Sequence, residues 1–220
     1  MRAVVGSMIT ALALLAARGS TAQAQAPRPA AAAVSAAALT TPELVRELRS
    51  GGFVLVMRHA ESPARLPTAN EAEADNPQRE RQLDAAGKAS ARELGQALHR
   101  LDIPIGRIYA SPTYRAMQTV RLADLGQAQA VAQLAEGAGG MRASAGRARI
   151  DWLQAAVEQS PRAGTNTLIV THTPNIVGAF GSGVANVQAG EMIAFRPQGA
   201  GRAEMVGRIT VAQWRELAAH

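Results

Sequence analysis

Three short apolar runs, FVLVM (53–57), RIYA (107–110) and TLIVT (167–171), are each followed by a turn and then by a helix-sized stretch. Runs of four or five residues bounded by Gly, Pro or polar groups suit strands. The stretches between them, DAAGKASARELGQALHRL (84–101), PTYRAMQTVRLADL (112–125) and IDWLQAAVEQ (150–159), read as helices. In the first, Ala85, Leu94, Ala97, Leu98 and Leu101 keep helical spacing despite Gly87 and Gly95. AVAQL (130–134) fits a further strand, PNIVGAFG (174–181) a short helix and AQWRELAAH (212–220) a terminal one. Strands alternating with helices imply an α/β three-layer sandwich, a mostly parallel sheet with helices on both faces. GEMIAFRP (190–197) and AEMVGRITV (203–211) stand as close as a hairpin, which predicts one antiparallel edge.

The 220 residues suit one domain with a single sizeable core. The first 26 have a cationic start at Arg2, an apolar stretch from Ala3 to Ala17, and Ala22, Ala24 and Ala26 in A-x-A spacing. That pattern predicts a secretory signal peptide, because Arg18 interrupts the apolar stretch before the roughly 20 residues a membrane span needs. The expected mature protein is therefore exported, to the periplasm in a Gram-negative bacterium, without stable membrane insertion after cleavage. Residues 27–40 are Ala/Pro-rich and read as a linker, and the folded domain is expected over 41–220. It starts at TPELVREL, where Thr41 can cap a helix, Pro42 occupies its first position and Glu43 lies in its first turn. Cysteine is absent, which rules out disulfides and cysteine metal sites and suits an oxidising compartment.

A formal net charge of +6 favours anionic partners. Nucleic acid is the poorest fit, since the basic residues are scattered and only two Tyr, two Trp and three Phe are available for stacking. The cations collect elsewhere. Parallel strands share a carboxyl edge, and ligands of open α/β sheets bind just beyond it. The first strand delivers Arg58 and His59 to that edge. The second delivers SPTYR, with Ser111 placed to cap a helix, Pro112 at its first position and Arg115 in its first turn; TLIVT delivers His172. Two guanidinium groups, two imidazoles and two helix amino-termini on one rim suit a compact, multiply charged anion such as phosphate. One imidazole can be neutral and attack phosphorus while the other, cationic, steadies the equatorial oxygens. His99, in the last turn of a helix, and His220, at the terminus, are read as structural or solvated.

VLVMRHAES (54–62), YASPTYRAMQT (109–119) and IVTHTPN (169–175) resemble, in order and context, the signature segments of the histidine phosphatase superfamily, branch 1. The resemblance is to its phosphoglycerate mutase-like phosphatases and short bacterial phosphohistidine phosphatases. RQLDAAGKASARELG (81–95), GEMIAFRP and the late TVAQW also look like that branch, so the similarity runs from about Gly51 to the carboxyl end. It implies a phosphoglycerate mutase-like fold. It also implies a phosphatase with His59 as the phosphorylated nucleophile and Arg58, Arg115 and His172 completing the phosphate pocket. No metal or other cofactor is implied. The first motif reads RHA where many members have RHG.

Poor leaving groups need a carboxylic acid to protonate the departing oxygen. Glu136, in QLAEGAGG, stands roughly where this branch places its acid; Asp124, Glu61 and Asp151 are weaker candidates. Substrate choice is expected from the loops 60–82 and 137–149, whose spare arginines are Arg65, Arg79, Arg81, Arg142, Arg147 and Arg149. Exposed loop arginines are more often simply solvated. The expected substrate is a phosphorylated small molecule or phosphopeptide, carrying a phosphomonoester or a phosphoramidate. A non-catalytic phosphate-binding protein of the same fold and a phosphomutase are the alternatives.

Overall fold

The computed structural model describes residues 33–34, 38–136 and 143–219. The expected signal peptide at 1–26, most of the expected linker, Arg142 and His220 lie outside them. Among the described residues the sheet has seven strands: β1 (Ala33–Val34), β2 (Val54–Arg58), β3 (Ile105–Ala110), β4 (Gln129–Ala130), β5 (Asn166–Thr171), β6 (Met192–Gly199) and β7 (Arg202–Ile209). Their order is β1-β7-β6-β2-β5-β3-β4. Every pairing is parallel except those of β6 with β2 and β7. The antiparallel hairpin thus forms one flank, as its short connection requires, and β1, drawn from the stretch read as a linker, adds a short parallel strand outside it.

Six helices among the described residues cover the two faces: α1 (Thr41–Leu48), α2 (Ala85–Arg100), α3 (Tyr114–Ala123), α4 (Ala143–Val157), α5 (Thr173–Phe180) and α6 (Val211–Leu217). Alternation along the strands decides which face each side chain joins. Leu55, Met57, Leu168 and Val170 pack with Leu44, Leu48, Leu94, Leu98, Val120 and Trp214 on the α1, α2, α3 and α6 side. Val54, Val56, Ile169 and Phe195 pack with Leu153, Val157 and Ile176 on the α4 and α5 side. All six residues of β5 are buried, which fits a central strand covered on both faces.

Three local expectations are corrected. Thr40, not Thr41, caps α1, in a reciprocal capping box with Glu43. The run AVAQL contributes only Ala130 to a strand, β4; its Ala132–Leu134 form a 3-10 turn that seats Leu134 in the core. The loop expected over 137–149 ends earlier, since α4 already includes Ala143. The two α2 glycines are sites of close approach. A Cβ on Gly87 would stand 2.0 Å from the Glu61 carbonyl oxygen, and one on Gly95 1.8 Å from that of Ala123. Gly87 is what lets α2 lie against the loop that follows β2.

Candidate active site

Adjacency in the sheet brings the motifs together. β5 lies between β2 and β3, all three parallel, so their carboxyl ends form one rim. The register continues past the strands: His59 N–H donates to the Thr171 carbonyl at 3.1 Å and Ser111 N–H to that of Val170 at 2.9 Å. His172, leaving the middle strand, therefore stands beside His59, with ring centroids 5.1 Å apart.

Helix α3 ties this rim together with one face. Arg115, Gln118 and Thr119 are spaced i, i+3 and i+4 and are all buried. Thr119 Oγ1 accepts from Ala60 N–H at 3.1 Å and donates to the Arg115 carbonyl at 2.8 Å, while Gln118 Oε1 accepts from Leu83 N–H at 2.7 Å. Both ends of the loop between β2 and α2 are thereby tied to the helix that carries Arg115.

The Arg115 guanidinium is the hub. Its Nε donates to His59 Nε2 at 3.1 Å, its Nη2 lies 3.1 Å from His172 Nδ1, and Nη2 also pairs with the Glu136 carboxylate. The bonds fix both tautomers. His59 Nδ1 lies 2.7 Å from the Ala60 carbonyl, which can only accept, so the proton is on Nδ1 and Nε2 holds a lone pair. His172 takes the Arg115 bond on Nδ1, so its proton is on Nε2, which donates to Ser111 Oγ at 2.8 Å. Arg58 donates through Nη1 to the Val187 carbonyl at 3.1 Å.

Electrostatics keep both rings neutral. Burial, with the charges of Arg115, Arg58 and Arg81, pushes His59 down to about 4. Burial, Arg115, His59, Arg81 and Arg149 push His172 down to about 2. The expectation of one cationic imidazole is thus not met in the free site. A bound dianion would supply the opposite charge that a protonated His172 needs.

Residues 54–140 match the model of the "Histidine phosphatase superfamily (branch 1)". This region belongs to that superfamily. Solved structures agree in fold. The protein histidine phosphatase SixA complexed with tungstate has 16% identity and a TM-score of 0.51, over 73% of this chain and 97% of that one. Phosphoserine phosphatase of Entamoeba histolytica, in complex with 3-phosphoglyceric acid, has 14% identity and a TM-score of 0.51, over 72% of this chain and 96% of that one. No curated protein matches the chain in sequence. The α/β sandwich read from the sequence is that of these phosphoglycerate mutase-like proteins.

Among the carboxylates considered for the acid, Glu136 is the one that reaches Arg115. Asp124 ends α3 in a left-handed conformation at φ 52°, with its carbonyl accepting from His99 Nε2 at 3.1 Å. Glu61 and Asp151 are exposed. The spare arginines divide. Arg81 turns inward, donating to the Pro63 carbonyl at 2.7 Å and the Ser62 carbonyl at 3.0 Å, with Nη1 3.9 Å from Glu136. Arg65 pairs with Glu71 on the surface, and Arg79 and Arg147 are exposed.

Several site residues escaped the sequence reading. Ser111 does not cap α3; Thr113 is the cap residue, and Ser111 Oγ holds His172. The amino-terminal N–H of Tyr114 is taken by Glu80 at 3.0 Å, so a carboxylate already occupies this helix end. Loop 60–82 is built rather than loose: buried Asn76 bonds Glu80 and Gln82, and Gln82 bonds the Glu71 carbonyl. The polar spacing around Gln118 and Thr119 was the available signal for the α3 tether.

Proposed function

We propose that this chain is an exported phosphatase that hydrolyses phosphomonoesters, or a phosphoramidate, through a phosphohistidine on His59. The observation that carries this reading is the buried His59 ring, its Nδ1 proton committed to the Ala60 carbonyl and its Nε2 lone pair facing Arg115. In the proposed first step the Glu136 carboxylate, displaced from Arg115, takes the proton of the incoming monoanionic phosphate ester; Nε2 attacks phosphorus, the bond from phosphorus to the leaving oxygen breaks, and Glu136 passes that proton to the leaving oxygen. Arg58, Arg115 and His172 hold the equatorial oxygens, the phosphate replacing the Glu136 carboxylate on Arg115. In the second step water attacks phosphorus, the P–N bond breaks, and the water's proton passes to the Glu136 carboxylate.

The substrate is a phosphorylated small molecule or phosphopeptide. Export rests on the amino-terminal pattern, a cationic start, a short apolar stretch and A-x-A spacing. Among the described residues no helix is long and apolar enough to cross a membrane.

The test is a quench of enzyme mixed with radiolabelled aryl phosphate. An acid-labile, alkali-stable phosphoprotein in wild type and none in His59→Ala is the expected result. Full turnover by His59→Ala would overturn the mechanism, and binding without phosphate release would make the protein a phosphate binder.

A further inference from the structure

Glu136 is half-exposed at the end of a short segment, yet its carboxylate meets Arg115 and Arg81. Something must fix its backbone. The residue directly before it, Ala135, and the one before that, Leu134, offer two carbonyls. Buried Asn175 donates through Nδ2 to Leu134 O at 2.9 Å and Ala135 O at 3.2 Å, and to Thr171 Oγ1 at 2.9 Å. Fully buried Thr171 donates its hydroxyl to the same Leu134 carbonyl at 3.0 Å.

Thr171 and Asn175 flank His172 in the segment THTPN. His172 is the cap residue of α5, and Asn175 lies in its first turn. One rigid stretch therefore sets both the imidazole on the phosphate side and the two carbonyls that precede the carboxylate. An apolar residue at this position would leave the buried Leu134 carbonyl and the half-buried Ala135 carbonyl with fewer donors.

We propose that Asn175 is the positioning residue for the proton donor, holding the Leu134–Ala135 backbone so that Glu136 reaches the leaving-group oxygen. This rests on Glu136 being the acid. A mispositioned acid slows only those substrates that need protonation, whereas a general loss of structure slows all of them.

The experiment compares kcat/KM on 4-nitrophenyl phosphate, whose leaving group departs unaided, with that on an alkyl phosphate. Variants are Asn175→Ala, Thr171→Val, Glu136→Gln and the double variant Asn175→Ala with Glu136→Gln. Asn175→Ala is expected to lose about 10- to 100-fold on the alkyl ester, part of the roughly 10²- to 10⁴-fold a general acid provides. Its loss on the nitrophenyl ester should stay within about threefold, a selectivity that general destabilisation does not give. Thr171→Val, of nearly unchanged shape, should shift selectivity the same way by a smaller factor. The double variant should be no slower on the alkyl ester than Glu136→Gln alone, because the two changes disable one function. Equal losses on both esters, or multiplicative losses in the double variant, would overturn the proposal. So would an Asn175→Ala protein that fails to fold together with Thr171→Val of wild-type selectivity. If Glu136→Gln itself hydrolyses the alkyl ester normally, the acid assignment fails; if Glu136→Gln is selective and Asn175→Ala is not, the positioning role alone fails.

Discussion

His59, Ser111 and His172 follow the ends of three adjacent parallel strands, and ladder hydrogen bonds set how far apart they stand. Glu136 follows a 3-10 turn outside the long strands and is held by side-chain bonds to backbone carbonyls. The first region is buried and fixed by the sheet. The second is half-exposed and fixed by two polar side chains. On the proposed mechanism, grip on phosphate and delivery of a proton are built by separate means, so they should fail separately.

The sharpest break is at His59. Ala in its place removes the proposed attacking nitrogen, and turnover of every phosphate ester should fall by about 10⁴-fold or more, measured as phosphate release. Leaving-group identity should not matter, which sets this variant apart from any change at Glu136. Arg115→Lys comes next. An ammonium cannot reproduce contacts made from both Nε and Nη2 to two imidazoles and a carboxylate. Loss of about 10²- to 10³-fold in kcat/KM is expected, with vanadate inhibition weakened in parallel. A lysine variant within tenfold of wild type would mean that the fork geometry is not used.

The same contrast explains what could be read from the chain. The runs FVLVM, RIYA and TLIVT carry their strand assignment locally, and parallel pairing then places their ends on one edge. His59, Arg115 and His172 were legible for that reason. Strand order was not: that β5 lies between β2 and β3 is a property of the whole sheet. Ser111 looked like a helix cap because capping chemistry is local, while its bond to His172 depends on that strand order. AVAQL misled because Leu134 is apolar for burial at the end of a turn, not for a strand. Asn175 stood within IVTHTPN, but its bonds to the Leu134 and Ala135 carbonyls, 41 and 40 residues away in sequence, left no local signal.

Acidification separates the regions by another route. Both imidazoles are held neutral by burial and by nearby guanidinium charge. The folded protein therefore resists the protons that the unfolded chain accepts once pH falls below the ordinary histidine value of about 6.5. Stability should fall with decreasing pH, for His59 over the window from about 6.5 to about 4. That single group is worth about 3 kcal/mol between pH 7 and 4. Denaturant titrations at pH 7, 5.5 and 4.5 should show a steeper decline in wild type than in His59→Asn, which has no imidazole there to protonate. Saturating phosphate should flatten the decline, because a bound anion lets the rings take up protons. Parallel slopes for the two proteins would show that the ring is not held neutral.

The smallest effects should come from two arginines of one loop. Arg81 reaches from the end of the loop just before α2 toward the proposed acid, bonding the carbonyls of Ser62 and Pro63 and lying 3.9 Å from Glu136. Arg65, in the same loop, spends its guanidinium on Glu71 at 2.7 Å, with 62% of its side chain exposed. Exposed pairs of that kind contribute about 0–1 kcal/mol to stability and, away from the pocket, nothing to chemistry. Arg81→Ala should therefore lower kcat/KM about tenfold, the size of one charge-assisted contact. The loss should be larger on alkyl than on aryl esters, because Arg81 touches the acid's side of the site. Arg65→Ala should stay within about twofold of wild type on both. If the two variants lose equally, the loop binds substrate through its overall charge, and the inward turn of Arg81 has no separate role.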